Sequence, residues 1–257
     1  MGHERVGTLP RTKQWRELVA QMAEHSAEEP KAEKVARKTL ELAQEKLGQI
    51  ASDQAFAAAF RFLVLFSVST QAQKDESLAR LIQFAGINNE NGPLVVGASL
   101  KRWVASEAAA GSEYLELATR SATKALAEWF DANNSKQNEL FPANNENVKI
   151  WRPLAHGGAF SDLSRLFFKE VVRTYLHYLL DRESSGVLKS LRDVSSLNEG
   201  LDRYAYETTK IAQSFSAGWY NKYAIGRAPT ASDVGDFVRF AIHKLRDELL
   251  REERAKS

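Results

Sequence analysis

From Phe56 to Val68 the chain reads Phe-Ala-Ala-Ala-Phe-Arg-Phe-Leu-Val-Leu-Phe-Ser-Val, its most apolar run. Wound on a helix at about 100° per residue, the apolar groups cover the whole circumference instead of one stripe. Phe56, Phe60, Leu63 and Ser67 climb one side, while Ala58, Phe62, Leu65 and Phe66 fill the other. Such a helix must be enclosed on every side, by protein or by lipid. Phe62 to Val68 alone would suit a strand, but the alanines before it and the Ser52-Asp53 cap favour a helix. The run is therefore expected to form a central helix over about residues 53–73, wrapped by amphipathic neighbours. A membrane-active protein inserting residues 54–73 is the minority alternative. A span needs about 20 apolar residues, whereas Gln54, Ser67, Ser69, Thr70, Gln71 and Gln73 are polar here. Arg61 would also sit near mid-bilayer, at a cost of about 2.5–3.5 kcal/mol.

The rest of the chain supplies the wrapping. Trp15, Leu18, Val19 and Met22 recur at helical spacing, and a second helix opening at Pro30 turns Val35, Leu42, Ala43, Leu47 and Ile50 inward. Asp75 caps a short helix that Gly86 ends. Leu100, Trp103 and Val104 mark the next, and Tyr114, Ala118, Ala122, Ala125 and Trp129 the one after. A long helix is expected from Ser161 to about Arg182, with a break at Ser184 to Gly186. Leu201, Tyr204, Thr208, Ile211, Ala212, Phe215 and Trp219 then form one stripe, read as a single helix ending at Gly226. The last helix carries Val234, Phe237, Val238, Ala241, Ile242, Leu245 and Leu249 on its inner face. This gives about nine helices, no alternating strand pattern and an all-α fold.

Between them, Asp131 to Ile150 holds asparagines at 133, 134, 138, 144, 145 and 147 together with Pro142. Connections longer than about 12–15 residues are usually functional loops or linkers. Residues 1–130 and 159–257 are accordingly expected to be two helical subdomains joined by an Asn-rich connection over 131–158.

Composition narrows the function classes. With 44% hydrophobic and 26% charged residues the chain has the make-up of a folded globular protein. The formal net charge of +2 gives no strong overall pull towards nucleic acid or acidic lipid. From residue 149 onward there are eighteen Lys/Arg against fourteen Asp/Glu, an excess too small to name a partner. The chain has no cysteine, which excludes disulfides, thiol catalysis and cysteine-ligated zinc and fits a cytoplasmic setting. The Met-Gly-His-Glu-Arg-Val start lacks the apolar core of a signal peptide. Neither a phosphate-binding glycine loop nor a His-Glu-x-x-His pair is present, and the five histidines stand far apart, so no cofactor or metal is expected.

Three constellations remain. His156-Gly157-Gly158 precedes a helix N-terminus, a place that attracts anions, although a simple turn accounts for both glycines. Arg165, Lys169, Arg173 and His177 are spaced four apart on one helix line that could track a phosphate backbone, and Arg165, Lys169 and Arg173, with Arg11, Lys13 and Arg16, form the candidate nucleic-acid contact. Asp162 and Glu170 precede Arg165 and Arg173 at ion-pair spacing, so a self-paired face competes with that reading. Tyr206 and Tyr220 are placed opposite the inward stripe, where core packing does not require them; with Lys222 and Arg227 they form the candidate protein interface.

The preferred reading is a non-enzymatic α-helical interaction or accessory subunit of a bacterial-type multiprotein assembly. A helical nucleic-acid-binding subunit is the alternative.

Overall fold

The structure is a computed structural model and describes residues 12–24, 29–72, 74–108, 112, 114–134, 146–187, 191–225 and 227–254. Arg11, the N-terminal arm and residues 135–145 of the Asn-rich connection lie outside the described residues. The fold is all-α, with no strand among the described residues. The helices are α1 (Lys13–Glu24), α2 (Glu29–Leu42), α3 (Gln44–Ser52), α4 (Gln54–Ser69), α5 (Glu76–Phe84), α6 (Pro93–Glu107), α7 (Leu115–Asn134), α8 (Glu146–Trp151), α9 (Gly157–Val187), α10 (Leu191–Thr208), α11 (Lys210–Tyr223) and α12 (Ala231–Arg254). A 3-10 turn over Arg152–Ala155 joins α8 to α9.

The apolar run is α4, and the protein itself encloses it. Asp53 caps the helix, accepting from the Ala55 amide at 2.8 Å, and the Ser112 hydroxyl donates back to Asp53 at 2.9 Å. The hydroxyls of Ser67 and Ser69 donate to the Leu63 and Phe66 carbonyls, so they are satisfied inside the core. Helices α3, α5, α6, α7 and α12 pack around α4, and α9 reaches it through its phenylalanines. Phe60 is the hub: its ring lies 5.1 Å from Phe237, 5.6 Å from Phe167, 5.7 Å from Phe168 and 5.8 Å from Phe160. At the other end Phe66 meets Trp151 edge-on at 4.8 Å, and Trp151 stacks on Trp129 at 5.6 Å. One hydrophobic cluster thus draws on residues from Trp15 to Leu245. Arg61, the charge that argued against a membrane span, pairs with Glu107 at 3.0 Å over the Trp103 ring. No described helix is long and apolar enough to cross a membrane.

The structure has more helices than the nine or so expected. The helix read from Pro30 to Ile50 is interrupted at Ala43, whose amide is shared between the Thr39 and Leu40 carbonyls. The stripe from Leu201 to Trp219 is interrupted at Thr209. Here Thr208 and Thr209 both donate their hydroxyls back four residues, to the Tyr204 and Ala205 carbonyls, a competition with the backbone that bends helices. Conversely, α9 runs through the expected break at Ser184 to Gly186 and ends at Val187. Part of the Asn-rich connection is helical: α7 extends to Asn134 and α8 begins at Glu146. Gly86 ends α5 with φ 64°, the left-handed conformation that favours glycine.

Candidate interaction face

Helix α11 is buried on two sides. Ala212, Ser216 and Tyr220 line up at intervals of four and turn towards α9, where the Ser216 and Ser164 hydroxyls meet at 2.8 Å. Ile211, Phe215, Trp219 and Tyr223 form the adjacent line, half-buried and directed at α12. Between α11 and α12 this creates a continuous row of rings. Phe240 contacts Phe215 at 5.2 Å, Phe215 contacts Phe237 at 5.7 Å, Phe237 contacts Trp219 at 4.5 Å, and Trp219 contacts Tyr223 at 5.7 Å. Phe237 is buried, Phe215, Trp219 and Tyr223 are half-buried, and Phe240 is 46% exposed.

Cations stand at both ends of the row. Lys244 lies 5.8 Å from the Phe240 ring, and Lys222 lies 5.0 Å from the Tyr223 ring. Arg227 also reaches Tyr223 and donates to the Lys222 and Tyr223 carbonyls at 2.8 and 3.1 Å, capping the C-terminus of α11. Neither Lys222 nor Lys244 is within salt-bridge reach of a carboxylate among the described residues. The nearby Asp233 is engaged elsewhere: it accepts from the Thr230 amide and hydroxyl, while Thr230 Oγ1 accepts from its amide, a reciprocal cap on α12. Those hydrogen bonds, with Arg227 adding to them, hold the Asp233 carboxyl below its ordinary pKa.

Tyr220 is not on this surface, contrary to the exposure expected for it. It is fully buried, stacks on Phe160 at 4.5 Å, accepts from Gln71 Nε2 at 3.0 Å and donates to the Leu154 carbonyl at 3.3 Å. Burial raises its phenol pKa well above the ordinary value. Ala212 and Ser216, small and partly polar, hide the apolar side of α11 that Tyr220 completes. Tyr206 does remain 43% exposed, on α10. Phe240 escaped the sequence reading, although an aromatic standing well off the Val234–Phe237–Val238–Ala241 arc is itself a signal of surface use.

The basic line on α9 is held by the protein's own acceptors. Arg165, 8% exposed, lies 3.8 Å over the Tyr206 ring and donates to the Tyr206 carbonyl at 2.9 Å and to Gln213 Oε1 at 3.2 Å. Tyr206 belongs to the last turn of α10, whose carbonyls favour a cation. Lys169 pairs with Glu128 and, at 3.2 Å, with Glu170. Arg173 pairs with Asp202 at 2.6 Å and Glu170 at 3.5 Å, and His177 approaches Asp202 at 3.2 Å. Burial works to raise the Asp202 pKa, but hydrogen bonds from Arg173 and His177 hold it below the ordinary value. The Asp202 hydrogen bond likewise raises the Arg173 pKa. Lys13 lies 3.7 Å from Glu17, and Arg16 is exposed on the same helix.

The His-Gly-Gly string has a packing explanation. His156 is exposed, while Gly157 starts α9 hard against α11. A Cβ on Gly157 would lie 2.4 Å from Asn221 Oδ1 and 2.9 Å from the Ala217 carbonyl; one on Gly158 would meet nothing within 4 Å. Gly157→Ala should therefore cost about 1–3 kcal/mol, and Gly158→Ala less than about 0.5 kcal/mol. Urea unfolding of both variants checks this, and equal effects would refute the packing role. Among the described residues no three His, Asp or Glu side chains converge to hold a metal ion.

No protein-family model, curated protein or solved structure matches this chain. The functional reading rests on geometry.

Proposed function

We propose that this chain is a non-enzymatic helical subunit that binds another protein through the α11–α12 face. The observation that carries the reading is the aromatic row from Phe240 to Tyr223, open to solvent at Phe240 and flanked by Lys222 and Lys244, which have no carboxylate within salt-bridge reach among the described residues. Aromatic anchors ringed by polar groups are the usual centre of a protein–protein contact. The matching partner surface is apolar at its centre and carries carboxylates at its rim. The nucleic-acid alternative draws less support, because Arg165, Lys169 and Arg173 are committed to internal acceptors.

Purification of the tagged chain from its own host, with nuclease treatment, tests the reading. A protein should be retained by the wild type and lost from a Phe240→Ala, Lys222→Glu variant, with affinity falling by at least about 2 kcal/mol. Both positions are exposed, so thermal unfolding should hardly move. Retention of nucleic acid alone, with affinity falling at about −0.9 per phosphate contact in log salt, would replace this reading with the alternative.

A further inference from the structure

Two arginines on α9 hold α10 in different ways. Arg173 meets the Asp202 carboxylate at 2.6 Å and Glu170 at 3.5 Å. Close by, Gly200 brings α10 so near to α2 that a Cβ there would run into Ala32. The middle of α10 is therefore fixed by charge pairs and by close packing. Arg165 lies about two turns earlier on α9 and is buried, with no carboxylate within salt-bridge reach among the described residues. Its guanidinium is held by neutral groups alone: the Tyr206 carbonyl, Gln213 Oε1 and the Tyr206 ring. Its Nε is buried without a hydrogen-bond partner. Asp162, one turn back on the same helix, accepts from Gln213 Nε2 at 2.6 Å instead.

We infer that residues 206–210 form a hinge between α10 and α11 that Arg165 latches shut, able to open while the rest of the fold stays closed. No apolar side chain is buried over this stretch: Thr209 alone is enclosed, and Tyr206, Glu207 and Lys210 are exposed. Hydrophobic packing, which supplies most of a helix's stability in a protein, contributes little here. The backbone is already interrupted at Thr209, where the Thr208 and Thr209 hydroxyls donate to α10 carbonyls. What closes the stretch is its contact with Arg165, and that contact confines a cation without a counter-charge, a costly arrangement in a protein interior. Lifting the Tyr206 ring returns the guanidinium to water, so recovered hydration offsets the lost contacts. The balance between closed and open forms is then narrow, which is what a hinge requires. Arg173 has no such freedom, because its departure would strand the buried Glu170 carboxylate.

Hydrogen–deuterium exchange of the full chain, read by mass spectrometry over α4, α10 and α11, tests this. Amides of residues 206–210 should exchange at least about tenfold faster than those of α4 and of the α10 turn around Gly200. Tyr206→Ala, which uncovers the guanidinium, should speed them by about tenfold more and leave α4 unchanged. Tyr206→Phe keeps the ring and should match the wild type. Arg165→Lys keeps the charge but loses the planar fork, and should act like Tyr206→Ala. If Arg165→Lys fails to fold, Tyr206→Ala still decides, because Tyr206 is exposed and its loss leaves the core intact. Wild-type exchange at 206–210 as slow as in α4 would overturn the inference. So would a Tyr206→Ala effect spread evenly over all helices, or one equal to that of Tyr206→Phe. The Phe240→Ala, Lys222→Glu variant should leave exchange at 206–210 unchanged, so the hinge and the α11–α12 reading can fail independently.

Discussion

Phe60→Ala should lower the unfolding free energy by about 3–5 kcal/mol. Phe60 is fully buried and touches rings from α9, α11 and α12 as well as its own helix's surroundings. Removing it opens a cavity that several rigid elements line at once, and close-packed interiors collapse only partly into such a void. The loss should appear in urea unfolding as a lower midpoint at nearly constant slope. A cost below about 1 kcal/mol would mean that the aromatic hub is not the centre of the core.

Glu170→Ala should cost about 3 kcal/mol, the second largest effect. Glu170 is 3% exposed on α9, and its carboxylate faces Lys169 at 3.2 Å, Lys124 at 3.5 Å and Arg173 at 3.5 Å. Deleting one member of a buried ionic cluster strands the others at full desolvation cost. The figure sits at the low end of that range because Lys124 and Arg173 are partly exposed and can turn to water. Glu128→Ala is the control. Its carboxylate also pairs with Lys169 but is exposed, so the loss should stay below about 1 kcal/mol. Equal losses for the two variants would show that Glu170 behaves as an ordinary surface pair.

Much of the core could be read from the residues. The run around Phe60 is apolar on every side, which leaves enclosure as the only solution, and Asp53 and Asp75 announce the starts of α4 and α5 through their side-chain caps. The inner face of α12 follows from its spacing. Helix α11 did not, because a helix with two neighbours has no single stripe and its α9 side is built from Ala212 and Ser216. The break at Thr209 was written in the paired threonines, which periodicity alone ignores. The charges were half legible. The spacing of Glu170 before Arg173 foretold an ion pair, but Asp202, Glu128 and the Tyr206 carbonyl come from distant positions that only the fold brings together. The row from Phe240 to Tyr223 was hidden for the same reason, since its members sit on two helices.

Lysine footprinting tests the central claim, that the α11–α12 face is covered in the native assembly. The free chain and the assembly isolated from the host are labelled with an amine-acetylating reagent and compared by mass spectrometry. Lys222 and Lys244 should lose most of their reactivity on assembly, while Lys13, whose side chain is 86% exposed on α1, stays reactive in both. Equal labelling of Lys222 and Lys244 in the free and assembled states would contradict the claim.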